Sequence, residues 1–200
     1  MSFLHFDLPS FIATAGYIGI FALVFAESGL FFGFFLPGDS LLFTAGFIAS
    51  QGHLNIVVLM IGCFVFAVLG DNVGYAFGHR IGPRLFTRPE SRFFKPDHLL
   101  TAKAFYEKHG KKTLILARFM PVVRTFAPIV AGAGEMHYGT FLAYNIVGGA
   151  IWGLGMPLLG YVLGNTVPGV DKYIVPVIIL ILILSIAPGI VHLIRRRFRL

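Results

Sequence analysis

Apolar runs, cut by proline, glycine and single charges, set the plan of this chain. Phe11–Leu36 is apolar but for Glu27, and Pro37-Gly38-Asp39 ends it. Ser40–Ser50 is a second apolar piece of 11 residues. Leu54–Gly78 follows with Asp71 near its end, then a polar, basic stretch from Arg80 to Lys112. Thr113–Gly134 is apolar again but carries Arg118, Pro121, Arg124 and Pro128, and Gly139–Gly164 and Ile174–Ile194 complete the pattern. A helix needs about 20 residues to cross roughly 30 Å of hydrocarbon, so spans are expected at about 54–78, 139–164 and 174–194. Ser40–Ser50 would reach only about 17 Å at 1.5 Å per residue. Following Pro-Gly, it reads as one arm of a re-entrant hairpin over about 16–50. Irregular backbone at membrane depth is tolerated where protein buries it or a polar cavity lies beside it.

Composition agrees with a membrane solvent. The chain has 200 residues, 56% apolar and 12% charged, against about 25% charged in soluble domains. This excludes a soluble enzyme, a disordered chain and a disulfide scaffold; the lone Cys63 can neither bridge nor anchor a multi-cysteine zinc site. The first 79 residues hold no base, so neither a secretory leader nor an Arg-rich transit pattern is expected. The net charge of +7 could suggest nucleic acid, but nine of the 16 bases lie in Arg80–Lys112 and four in Arg195–Arg199, flanking apolar segments. That is the signature of membrane orientation, not of phosphate-backbone binding.

The same rule places the second hairpin. With the basic loop 80–112 cytoplasmic, a full crossing by Thr113–Gly134 would strand the C-terminal bases outside. An entry and return on one side, at about 113–134, keeps both basic flanks and the C-terminus inside. Pro121 and Pro128 are expected to break a straight helix there. Two readings of this loop stand: a short surface helix capped at Asp97, or an ordinary positive-inside loop.

An internal repeat supports the plan. Gly74-Tyr75-Ala76-Phe77-Gly78 recurs as Gly160-Tyr161-Val162-Leu163-Gly164, and Phe35-Leu36-Pro37 as Phe119-Met120-Pro121. The expected fold is an all-α membrane protein, one domain over 1–200. It is an inverted repeat in which each half is a re-entrant helical hairpin plus a transmembrane helix, with an additional C-terminal span. Broken helices in inverted repeats form the binding sites of many secondary transporters.

Charges inside apolar stretches carry the chemistry, since each costs about 2.5–3.5 kcal/mol at the bilayer centre on insertion scales. They are Glu27, Asp39, Asp71, Arg118 and Arg124. Arg118 and Arg124 flank Pro121, and guanidinium groups match phosphate or carboxylate with paired donors. Two readings stand: an anion site, or structural ion pairs with Glu27 or Asp39. Glu27 and Asp39 are candidates for proton or cation coupling, with Asp39 alternatively capping the arm that starts at Ser40. Asp71 is expected to pair with a base or to brace its hairpin. Pro37, Gly38, Gly74, Tyr75, Gly78, Pro121 and Pro128 are expected to shape the hairpins. The seven histidines, including His53, His79 and His137, read as interfacial residues. No Gly-x-Ser-x-Gly, His-Glu-x-x-His or P-loop is present, so neither enzyme chemistry, metal nor cofactor is expected. A membrane phosphatase using Arg118, Arg124 and Glu27 is a minor alternative.

In these pieces and their order the chain resembles the DedA family, also called the SNARE-associated or VTT-domain family. The resemblance rests on Glu27, Phe35–Ser40, Gly70–Gly82, His109-Gly110, Arg118–Thr125, Pro128 and Ala131-Gly132. It implies a bacterial cytoplasmic-membrane protein with two opposed hairpins, in which Glu27, Asp39, Arg118 and Arg124 are needed for activity. It also implies links to undecaprenyl phosphate recycling, proton-motive-force maintenance and drug tolerance, while eukaryotic relatives resemble lipid scramblases. The leading expectation is a transporter or flippase for a lipid phosphate, coupled to protons or another cation. Its partners would be that lipid and the surrounding membrane, with homo-oligomerisation left open. The alternatives are a proton-coupled transporter of small ions or cationic compounds, a non-selective scramblase, and a non-transporting envelope scaffold.

Overall fold

The structure, a computed structural model, describes residues 8–30, 36–86 and 112–166. The expected span 174–194, the basic tail, most of the loop 80–112 and its candidate surface helix lie outside the described residues. All regular structure among the described residues is helical: α1 (Leu8–Gly29), α2 (Gly38–Ser50), α3 (Ile56–Phe86), α4 (Thr113–Ala117), α5 (Pro121–Ala133) and α6 (Tyr138–Thr166).

Local sterics set the breaks. α1 kinks at Gly16, whose φ of 56° and ψ of −153° lie outside the helical region. α4 closes in tight i→i+3 bonds, from Arg118 N–H to the Ile115 carbonyl and from Met120 N–H to that of Ala117. Met120 is then extended, with φ −116° and ψ 107°, because the ring of Pro121 disfavours helical backbone in the residue before it. Pro121 itself suits the first position of α5. Pro128 behaves otherwise than expected: α5 runs through it to Ala133, forgoing one backbone bond without ending. Asp39 is not the cap of its helix. α2 begins at Gly38, Pro37 holds the cap position without a side-chain bond, and Asp39 sits inside the first turn, where its charge still complements the helix dipole. Asn55 does cap α3, its Oδ1 accepting from the Val57 and Val58 amides at 2.9 and 3.2 Å. α3 continues as helix through Arg80 to Phe86, into what the charge pattern suggests is loop.

Among the described residues, two helices are long and apolar enough to cross a membrane: Ile56–Ile81, 26 residues, and Tyr138–Thr166, 29 residues. Only 28% and 33% of their most apolar stretches are buried, whereas the core helix of a soluble protein is mostly covered. On α3, Ile61, Val65, Leu69, Val73 and Phe77 recur every four residues and are all exposed, an apolar stripe that suits lipid. α2 and α5, at 13 residues each, reach only about 20 Å.

The described residues form two compact units. Among the described residues, one draws on 8–24, 36–66 and 150–166; the other on 25–30, 67–86 and 112–149. In the first, α2 is buried from Ser40 to Ala49 and packs backbone to backbone on α6. A Cβ on Gly46 would collide with the Pro157 carbonyl, and one on Gly160 with that of Phe43. Phe21 stacks between Tyr17 and Phe66 at 5.8 and 5.3 Å. In the second, α5 packs on α3 in the same manner. A Cβ on Gly78 would collide with the Ile129 carbonyl, and one on Gly132 with that of Tyr75. Gly74 has ordinary room beside Pro128, at 3.4 Å. The core of this unit gathers Tyr75, Leu114, Ala117, Ala127, Ala131 and Phe141.

Candidate functional site

The sequence places its costly charges on separate segments, and the folded second unit joins four of them in two buried pairs. α1 and α3 approach closely enough that a Cβ on Gly29 would stand 2.8 Å from the Gly70 carbonyl oxygen. That approach sets Glu27 and Asp71 within one unit. The broken segment α4–α5 supplies the bases, Arg118 in the turn after α4 and Arg124 in the first turn of α5.

Arg124 Nη2 pairs with Glu27 Oε1, with side-chain exposures of 8% and 1%. Arg118 Nη2 pairs with Asp71 Oδ2 at 2.7 Å, and both side chains are buried. Arg118 Nη1 also donates to the Oδ1 and main-chain carbonyl of Asn145, at 3.1 and 3.3 Å. Asn145 Nδ2 in turn donates to the Val68 carbonyl at 3.1 Å. Arg118 therefore ties α3, the broken segment and α6 through one guanidinium. Each positive charge is offset by one carboxylate, the condition for keeping them away from water. Asp71 is thus the partner of Arg118, and its position near the end of a span gave no hint of which base it would meet.

Asp39 lies in the other unit, where Trp152 Nε1 donates to its Oδ1 at 2.6 Å. The ring of Trp152 is fully buried, so the indole N–H needs an acceptor and the carboxylate supplies one. The sequence gave no signal for this bond, because 113 residues separate the two.

Tyr75, expected to shape its hairpin, centres an aromatic group. Its hydroxyl donates to the Met136 carbonyl, and its ring stacks on Phe141 at 4.4 Å and on His79 at 6.0 Å. The structure also places His79, His137, Arg80 and Tyr138 around an open cavity of about 800 Å³. From the sequence alone these histidines read as plain interfacial residues. The signal was present in Gly78-His79-Arg80 and Met136-His137-Tyr138, two polar clusters bounding apolar spans. No group of three or more potential metal ligands occurs among the described residues.

The VTT-domain profile matches residues 36–162. An uncharacterized membrane protein of Mycobacterium leprae is 46% identical over 181 residues, covering 90% of this chain and 81% of its own. Protein DedA of Escherichia coli strain K12 is 43% identical over 201 residues, covering 97% and 91%. An uncharacterized membrane protein of Mycobacterium tuberculosis is 46% identical over 175 residues, covering 86% and 76%. No solved structure matches the chain.

Proposed function

The chain belongs to the VTT-domain (DedA) family of membrane proteins, and from that premise we propose that it is a non-enzymatic transporter of lipid phosphate in the bacterial cytoplasmic membrane. The observation that carries this reading is the pair of buried arginine–carboxylate contacts, Arg124–Glu27 and Arg118–Asp71. Each guanidinium already holds an oxyanion where solvation is poor. A phosphate head group offers the same oxygens in the same fork geometry. It can take the place of a carboxylate once that carboxylate is protonated. One proton entering on Glu27 together with one phosphate monoanion leaves the net charge of the buried cluster unchanged. Undecaprenyl phosphate fits: its single phosphate can be held by Arg118 and Arg124, while its tail stays in lipid.

Glu27 is the coupling acid in this scheme. Asp39 is the second, held by Trp152 in the state described here. The packing of the short helices supports an inverted repeat of hairpins that enter and return on one side. α2 lies on the Gly160–Gly164 element and α5 on its counterpart Gly74–Gly78, so the short helix of each half packs on the span of the other. The basic loop and C-terminal tail are cytoplasmic in this topology.

Lipid flip in proteoliposomes tests the reading. The protein is reconstituted with fluorescent polyprenyl phosphate or labelled phosphatidylglycerol, with and without a pH gradient. Movement of the first alone, accelerated by the gradient and lost in Arg124→Ala, is the expected result. Equal movement of both lipids indicates a scramblase, and pH-driven uptake of a soluble substrate without lipid movement indicates a small-ion transporter. Either refutes the proposal, as does release of inorganic phosphate from polyprenyl pyrophosphate.

A further inference from the structure

We propose that the open cavity beside α3 is a capture site for the phosphate head of a single-chain amphiphile, separate from the buried ion pairs. The proposal deepens the lipid-phosphate reading and rests on it only for the identity of the head group. At about 800 Å³ the cavity lies in the range of small-molecule sites, roughly 300–1,000 Å³. Neither the two buried arginines nor their carboxylates line it.

Its walls are chemically divided. Leu69, Asn72, Val73 and Ala76 follow one another on one face of α3, with His79 and Arg80 at the charged end. The connector residues Glu135–His137, between α5 and α6, and Tyr138 at the start of α6 make the facing wall. Leu69 and Val73 are exposed apolar side chains, and with Phe25 they suit a hydrocarbon chain. Arg80, His79 and His137 suit an oxyanion. A free phosphate would use the second set and leave the first uncovered. An uncharged lipid would do the reverse. Glu135 stands at the same rim and opposes a pyrophosphate, with its larger negative charge, more than a phosphate monoester.

The cavity is also built rather than incidental. The Tyr138 hydroxyl donates to Asn72 Oδ1 at 2.9 Å, bolting one wall to the other. His79 is held flat on Tyr75, with an interplanar angle of 6°. The connector leaves α5 by a Schellman turn. The Met136 amide donates to the Ala131 carbonyl and the Glu135 amide to that of Gly132, at 3.0 and 3.1 Å. The left-handed position of this turn, normally glycine, is Glu135 with φ 56°. A side chain is thus retained at the rim where the backbone would prefer none.

Photolabelling of the full-length purified protein tests the site. The probe is farnesyl phosphate carrying a diazirine, and labelled peptides are mapped by mass spectrometry. Label is expected on residues 72–80 and 135–138. Unlabelled farnesyl phosphate should displace it, farnesol should not, and inorganic phosphate should do so only at much higher concentration. Arg80→Gln with His137→Gln should lower labelling about tenfold, the worth of one charge-assisted hydrogen bond. Ala76→Phe, which fills the cavity without changing a charge, should lower it with melting temperature unchanged. Label spread over the apolar helix faces and indifferent to these variants overturns the site. So does competition by farnesol or inorganic phosphate at the concentration where farnesyl phosphate competes. Labelling here without lipid flip in proteoliposomes defeats the transport reading and leaves the site standing; flip without labelling does the opposite.

Discussion

Replacing Arg118 by methionine tests whether the buried pair with Asp71 acts as a unit. Methionine keeps the length of the side chain and removes the charge. Three things are lost: the contact with Asp71 Oδ2 at 2.7 Å and two hydrogen bonds to Asn145. Hydrogen bonds involving a charged group contribute about 1.5–3 kcal/mol each. A carboxylate left alone in the apolar part of a membrane costs about 3 kcal/mol. These contributions overlap, since Asp71 can recover part of its loss by protonation and Asn145 keeps its bond to Val68. The expected destabilisation is about 3–5 kcal/mol, as for other broken buried pairs. Asp71→Asn alone strands Arg118 and should cost about as much. The double variant strands no charge and should lie within about 2 kcal/mol of the parent protein, a coupling of at least about 2 kcal/mol. Reversible unfolding in mixed micelles, followed by helical circular dichroism, measures all four corners of the cycle. Singles that add, with coupling below about 0.5 kcal/mol, would refute the unit. The cycle also separates two roles. If Arg118 also holds substrate phosphate, the double variant folds but does not transport.

Gly78→Ala should destabilise by about 1–3 kcal/mol through overpacking, because its methyl would meet the Ile129 backbone. Gly74→Ala, with room beside Pro128, should stay within about 1 kcal/mol of the parent; thermal melts of the two variants make the comparison. Glu135→Gly should raise stability by about 1 kcal/mol by relieving the left-handed residue while changing the rim of the cavity, so melting and photolabelling should diverge. Asp39→Asn keeps an Oδ1 acceptor for Trp152 but removes the charge. Folding should hold and the response of lipid flip to a pH gradient should vanish; an unchanged response excludes Asp39 from coupling. Gly155→Ala, with no atom within 4 Å of the added methyl, should stabilise α6 by about 0.5–1 kcal/mol.

Much of the architecture follows from short-range physics and so is legible in the residues alone. The length of an apolar run decides whether a helix can cross hydrocarbon, and this marks α3 and α6. Pro121 forces Met120 out of helical backbone whatever surrounds it, so the break between the two arginines is a local property. A charge in an apolar segment needs a polar or oppositely charged partner, which singles out Glu27, Asp39, Asp71, Arg118 and Arg124. The choice of partner is not local. Coulomb attraction has no direction along the chain, and Glu27 and Asp39 were equal candidates for Arg124 until the close crossing of α1 and α3 brought Glu27 into its unit. Pro128 looked like a second break because its ring removes a hydrogen bond, but contact of α5 with α3 holds the helix through it. Asp39 looked like a cap because of its neighbours, and the tertiary fold instead gave it the indole of Trp152. The cavity is further still from the sequence. Its two walls meet only because α5 lies on the small residues of α3 and the Schellman turn carries His137 and Tyr138 back toward Asn72. Segment length, local sterics and the need for neutrality belong to the sequence. Which groups meet, and what space they leave, depends on backbone distances that only the packed helices define.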